Sequence, residues 1–388
     1  MKAIPYGKQL ITNEDIKAVV ETLESDFLTQ GPKVAEFEQK FSEFTGSRYA
    51  VAVSNGTAAL HLSVLVLNIK PGDKVITTPI TFAASANCVL YVGGEVDFVD
   101  IDKETYLIDL NQIEDKLKKD KKGKYKCIIP VDFAGYPVNM EELKILSEKF
   151  NCHIIEDSCH APGGYFVDNA GNKQFCGNGT FPDLSIFSFH PVKHVATGEG
   201  GMITTNNKKL YESLTLYRTH GITKNPDKLT QNPGGWYYEM QVLGYNYRIT
   251  DIQCALGISQ LRRVHGNLHR RREIAEKYDK AFKKHNYIMT PVVRNGVGHA
   301  YHLYIIQISD RKSLYDYLRQ RNIYSQVHYI PVHLLPFYQK FGWSKGDFPV
   351  AEEYYNNCLS LPIYPSLSEK EQDYVIDTIL DYYEKVNY

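Results

Sequence analysis

Along residues 33–45 the chain reads KVAEFEQKFSEFT, with apolar positions at Val34, Phe37, Phe41 and Phe44. Steps of three and four put them on one stripe of an α-helix, which Gly46 can end. The pattern then changes. YAVAVS (49–54) is a short, unbroken apolar run, as a strand buried on both faces requires. TAALHLSVLVLNI (57–69) is too long for a strand and reads as a buried helix. KVITT (74–78), EVDFVDI (95–101), YKCIIPV (125–131), CHIIE (152–156) and DLSIFSF (183–189) repeat the strand pattern. TFAASANCVLYVG (81–93) and NMEELKILSEKF (139–150) repeat the helical one. This alternation predicts an α/β fold, a mostly parallel sheet with helices on both faces.

Near residue 250 the texture shifts. TDIQCALGISQLRRVHGNLHRRREIAEKYDKAF predicts one long or bent helix. After it, strand patterns (YHLYIIQI, YSQVHYI) mix with helical ones (RKSLYDYLRQRN, EKEQDYVIDTILDYYEK). The expected organisation is a large α/β domain with an N-terminal arm over 1–245, and a smaller α+β domain over 246–388. No internal repeat or low-complexity tract interrupts either.

Composition narrows the class without naming it. Hydrophobic residues make up 43% of the 388 and charged residues 23%, as in an ordinary globular protein. A formal net charge of −1 gives no electrostatic case for nucleic acid or an anionic membrane as partner. No apolar run approaches the ~20 residues of a spanning helix. The opening MKAIPYGKQLITNEDIK lacks the apolar core of a signal peptide. Seven scattered cysteines, with no Cys-x-x-Cys pair, suit a reducing compartment and no zinc ribbon. The expectation is a cytoplasmic protein without a structural metal.

In open α/β sheets ligands bind beyond the carboxyl ends of strands, and three pointed stretches fall there. SNGTAAL (54–60) ends a strand, turns at Gly56 and starts a helix at Thr57. Its free N–H groups suit a phosphate, and an ordinary N-cap accounts for them equally. IIEDSCHAPGG (154–164) leaves Asp157 just past a buried strand, as a cap or as a ligand to something cationic. His160 with Cys159 or His153 lacks the second ligand pair that a zinc site needs. DLSIFSFHPVKHVATGEGG (183–201) carries Lys193 between an apolar strand and a compact glycine turn. Most lysines are solvated surface charges, but a confined one has a lowered pKa and a nucleophilic amine. Taken together, the three supply what pyridoxal phosphate requires: an amine for its aldehyde, a carboxylate for its pyridine nitrogen and donors for its phosphate. GEGG is no dinucleotide fingerprint, and no G-x-G-x-x-G supports a dehydrogenase.

The chain resembles the DegT/StrS family of pyridoxal-phosphate-dependent nucleotide-sugar aminotransferases, which have the aspartate-aminotransferase fold (fold type I). The resemblance runs through LTQGPKVAEFE, SNGTAAL, TTPITFAASAN, EDSCHA, SFHPVKHVATGEGG, RTHG, GYNYRITDIQCALGISQL and VHYIPVH. It implies that Lys193 holds the cofactor covalently and shuttles the proton, and that Asp157 partners the pyridine nitrogen. Thr57, Ala58 and Ser188 match phosphate binders, and Phe82 matches the aromatic stacked on the ring, where ordinary core is the alternative. His160 matches a histidine near the cofactor. Asn246 and Arg248 match a loop that reaches into the neighbouring subunit's site, which implies a homodimer with shared active sites. Thr29, Gln30, His328, Tyr329 and His333 match substrate-side residues; for the last three, an aromatic-rich strand edge is the alternative. SFHPVK and GYNYR look closest to the branch that makes UDP-4-amino-4,6-dideoxy-N-acetyl-β-L-altrosamine, a pseudaminic acid precursor, from a UDP-4-keto-6-deoxy sugar and L-glutamate. A bacillosamine-type or other 4-amino or 3-amino sugar is the alternative product, and a non-catalytic protein that keeps the cofactor fold is a remote one. One family variant has histidine in place of the lysine and dehydrates; Lys193 favours transamination. Residues 163–183 look longer than the family's usual hairpin and are expected to reshape the mouth of the site.

Overall fold

The computed structural model describes residues 2–385. Its central sheet has seven strands: β1 (Tyr49–Val53), β2 (Lys74–Thr77), β3 (Glu95–Phe98), β4 (Tyr125–Ile129), β5 (His153–Asp157), β6 (Leu184–Ser188) and β7 (Gly201–Thr205). The spatial order is β1-β7-β6-β5-β4-β2-β3. β7 runs antiparallel to both of its neighbours, and every other pairing is parallel. The strands' continuous apolar runs follow from burial on both faces.

Local chemistry sets the helix ends. Pro32 opens the Pro32–Thr45 helix, and Gly46 closes it at a φ of 82°, in the left-handed region glycine tolerates. Phe37 and Phe41, from the predicted stripe, are fully buried. They meet Phe189 and Phe187 at ring-centroid distances of 5.2 and 4.9 Å. Burial of each ring contributes about 1.5–3 kcal/mol. The helix is thereby pinned beneath β6, the strand that leads to Lys193.

The anticipated long helix is two, Asp251–Leu261 and Val264–Phe282. The first starts on a Thr250–Gln253 capping box. The break falls where Arg263 turns aside to the buried Asp15 carboxylate, 2.7 Å away, tying in the N-terminal Asn13–Leu23 helix. A second core gathers Ile274, Tyr278, Phe282, Tyr304, Leu318, Leu361 and Ile379. Ile4 joins it through a parallel pairing of Ile4–Pro5 with Ile323–Tyr324. The strand expected through YSQVHYI stops early: past Tyr324 only a single bridge, Gln326 to Ser360, continues it. Beyond that bridge the side chains of His328 and Tyr329 bond to Ser360 and His160 instead.

Residues 163–183 form a hairpin, Tyr165–Val167 against Lys173–Phe175, and Val297–Gly298 adds a third strand. Among the described residues no helix is long and apolar enough to cross a membrane. All seven cysteines are free.

Candidate active site

β1, β5 and β6 finish side by side around the start of β7, so their carboxyl ends converge. The approach is close. A Cβ on Gly201 would lie 2.5 Å from the Asn55 carbonyl oxygen, and one on Gly56 would lie 3.0 Å from Ser188 Cβ. Above these ends opens a cavity of about 700 Å³. Thr57, Ala58, Phe82, Asp157, His160, Ser188, Lys193, His328 and Tyr329 all line it.

At the helix start Asn55 is the N-cap, and its Oδ1 accepts the Ala58 N–H at 2.8 Å. The N-cap reading of SNGTAAL therefore holds, and it leaves donors over. Ala58 spends its N–H on the cap, while those of Gly56 and Thr57 have no protein partner among the described residues. Two free donors at a helix N-terminus, beside the Thr57 and Ser188 hydroxyls, form an anion cradle.

Asp157 is buried, and its Oδ2 accepts the Ser85 hydroxyl at 2.7 Å. Lys193 follows β6, its backbone N–H bonded to the His190 carbonyl at 2.8 Å. No described residue accepts a hydrogen bond from its amine, and burial lowers its pKa, against the opposing pull of Cys159 and Asp157. Four buried histidines surround that amine. Burial and the Lys193 charge hold His160 and His302 well below the usual imidazole range and bring His328 to about 3. For His194, burial is followed by Arg271 and then Lys193. All four are neutral at physiological pH. His160 Nδ1 accepts the Ala134 N–H at 3.3 Å, so Nε2 carries the proton and donates it to the Tyr329 oxygen at 3.2 Å. Tyr329 keeps its own hydroxyl proton to offer elsewhere. Phe82 is 63% exposed, on the cavity wall, which excludes a core role for it.

These residues fit pyridoxal phosphate: a partnerless amine, a buried carboxylate, an anion cradle and an open aromatic face. A model of the DegT/DnrJ/EryC1/StrS aminotransferase family matches residues 9–380. The chain belongs to that family. It is 38% identical over 390 residues to the UDP-4-amino-4,6-dideoxy-N-acetyl-β-L-altrosamine transaminase of Campylobacter jejuni, covering 99% of this chain and 98% of that protein. It superposes with a TM-score of 0.89 on Spr1654 of Streptococcus pneumoniae in its PMP form, at 32% identity, covering 99% of this chain and 98% of the other. Helicobacter pylori PseC, an aminotransferase involved in the biosynthesis of pseudaminic acid, gives a TM-score of 0.88 at 32% identity, covering 99% and 100%. The chain is thus a pyridoxal-phosphate-dependent sugar aminotransferase, and its fold is the type I fold expected.

The other residues singled out in the sequence do not reach the cavity. Thr29 bridges to Thr250, Asn246 bridges to Thr219, and Gln30 and Arg248 line a separate surface cleft with Thr219 and Arg218. His333 is fully buried, its Nε2 3.0 Å from Glu352 Oε1, in a short turn after Pro331 that faces the Pro349–Asn357 helix. The aminotransferase also places no residue of 163–183 on the cavity wall. Conversely, Tyr6, Asn55, Thr81, Ser85, Tyr247 and His302 line the cavity without having been anticipated. Asn55 and Ser85 sit inside motifs already singled out, whereas nothing local marks Tyr6 or His302. Below the site Asp132, Glu156 and Cys176 meet in the core. Their carboxylates are occupied by Ser158, Val138, Ser185 and Gly177 donors. Burial raises the pKa of both acids, and for Asp132 the Glu156 charge raises it further.

Proposed function

We propose that the aminotransferase moves an amino group from L-glutamate to C4 of a UDP-4-keto-6-deoxy-N-acetylhexosamine, giving UDP-4-amino-4,6-dideoxy-N-acetyl-β-L-altrosamine. One observation carries the chemistry: Lys193, Asp157 and the free helix N-terminus open into a single cavity. The likeness to the Campylobacter transaminase and to PseC supports the choice of sugar. Pyridoxal phosphate, when bound, supplies a carbonyl that condenses with amines and a ring that takes up electrons. The remaining tasks fall to the chain. Desolvation lowers the pKa of the Lys193 amine, which favours the neutral form that would hold the covalent link and act as base. It takes the proton from the glutamate α-carbon and, in the second half-reaction, delivers one to C4 of the sugar. Asp157 would accept a hydrogen bond from the ring nitrogen and favour its protonated form. Gly56, Thr57 and Ser188 would hold the phosphate, and Phe82 would cover a ring face. The free Tyr329 proton serves a sugar oxygen.

The proposal includes a homodimer. Thr29, Gln30, Asn246 and Arg248 gather away from their own chain's cavity, as residues serving a partner's site would. Ile16, Val20 and Leu23 leave an apolar stripe on the Asn13–Leu23 helix 44–55% exposed, and a second copy would cover it.

The deciding experiment converts the protein to its amino form with L-glutamate. It then supplies the L-arabino UDP-2-acetamido-2,6-dideoxy-4-hexulose or its D-xylo epimer. Return of the cofactor's visible absorbance with the L-arabino sugar is the expected result. Return with the D-xylo sugar alone would move the product to a bacillosamine-type sugar. Lys193→Ala should abolish turnover in a folded protein, and wild-type turnover there would remove the lysine from its role.

A further inference from the structure

The turn after β2 contributes more than the Phe82 ring. Thr81 precedes the Ala84–Tyr91 helix, and Ser85 lies in its first turn. With Phe82 between them open to the cavity, both hydroxyls point inward and are buried. They lie 2.8 Å apart, and Ser85 Oγ is 2.7 Å from Asp157 Oδ2. A serine has a single hydroxyl proton. The carboxylate takes it, so Thr81 must be the donor to Ser85. The bonds run in one direction, from Thr81 to Ser85 to Asp157, and each hydroxyl polarises the next. The other carboxylate oxygen, Oδ1, accepts the Cys159 N–H at 3.2 Å. Two segments therefore grip Asp157, one on each oxygen, and both grip it as an acceptor.

We propose that Thr81 and Ser85 are positioning residues that hold Asp157 as an oriented carboxylate for the cofactor's ring nitrogen. The inference rests on the role given to Asp157 above. It makes TFAAS one module: Phe82 serves the ring's face, while its neighbours at 81 and 85 serve the ring's nitrogen through a third residue.

The test uses holoenzyme of wild type, Ser85→Ala, Thr81→Val, Thr81→Ser and Asp157→Asn. Two quantities are read: cofactor retained on dialysis, and the pH midpoint of its visible absorbance. Losing a hydrogen bond to a charged group should weaken retention in Ser85→Ala about ten-fold. The midpoint should rise, because a less firmly protonated ring withdraws fewer electrons from the covalent link. Thr81→Val, which removes a hydroxyl at constant shape, should move both readouts the same way by less, and Thr81→Ser should restore them. Thermal unfolding of the cofactor-free Thr81→Val protein should match wild type. Wild-type retention and midpoint in both Ser85→Ala and Thr81→Val overturn the relay, as does a defect in Thr81→Val that Thr81→Ser fails to correct. Asp157→Asn separates the two levels of the argument. Wild-type behaviour in that variant overturns the role of Asp157 itself, whereas a defect there with normal Ser85→Ala removes the relay alone.

Discussion

Acidifying the cofactor-free enzyme from pH 8 to pH 5.5 should cost it several kcal/mol of stability, through histidines it buries neutral. His160, His194, His299, His302 and His328 all have lowered pKa values, chiefly from burial, and His299 and His328 are brought to about 3. The unfolded chain protonates its histidines near pH 6.5, while the folded one does not. The unfolded state therefore binds more protons, and stability falls as pH drops from 6.5 toward about 3. One unit below 6.5, a histidine that the fold keeps neutral costs on the order of 1 kcal/mol, so the five together cost several kcal/mol at pH 5.5. That compares with a total folding stability of about 5–15 kcal/mol. The buried Asp132–Glu156 pair, whose pKa values are raised, works in the opposite direction and returns part of the loss. His194→Gln isolates one contribution. Its amide can still donate to the Ala300 carbonyl, which His194 Nε2 meets at 2.8 Å, and His194 Nδ1 has no partner to lose. Urea unfolding at the two pH values should show a loss on the order of 1 kcal/mol smaller in His194→Gln than in wild type. Equal losses in the two proteins, or no acid loss in wild type, would refute the reasoning.

Two further perturbations probe the frame of the site. Gly201→Ala drives a Cβ into the Asn55 carbonyl at 2.5 Å and the Gly56 nitrogen at 2.9 Å, both rigid backbone. It should cost about 1–3 kcal/mol and loosen phosphate retention, and an unchanged melting temperature with full cofactor content would contradict the close approach. Asp251→Ala leaves the N–H groups of Gly31 and Lys33 without their shared acceptor at 2.8 and 2.9 Å. The cost of about 1–2 kcal/mol should appear in calorimetry, together with weaker sugar binding through the adjoining Gln30; wild-type values of both would detach that loop from the substrate.

The helix of 32–45 and all seven sheet strands except β7 were legible as periods of 3.6 residues or short apolar runs, because burial on one stripe or two faces writes itself into consecutive positions. YSQVHYI misled for the same reason. Its composition suits a strand, but His328 and Tyr329 take partners in Ser360 and His160, far away in the chain. That Lys193, Asp157 and Thr57 come together was legible because each stands at or just past the carboxyl end of a recognisable strand, and all three line the cavity. His333, matched by motif to the substrate side, is instead buried against Glu352 in its own chain, a contact no local pattern announces.

The sequence alone thus determined the α/β alternation, the strand-end positions of Lys193, Asp157 and Thr57, and with them the cofactor class. These properties depend on residues within a few places of one another. Tertiary structure decided what separates the site from its motifs. It set Tyr6 and His302 on the cavity wall, ringed Lys193 with neutral histidines, aimed Thr81 and Ser85 at Asp157, and kept Thr29, Gln30, Asn246 and Arg248 out of their own chain's cavity. Contacts between residues tens to hundreds of positions apart leave no period in a sequence, and desolvation exists only once the chain has closed around the group.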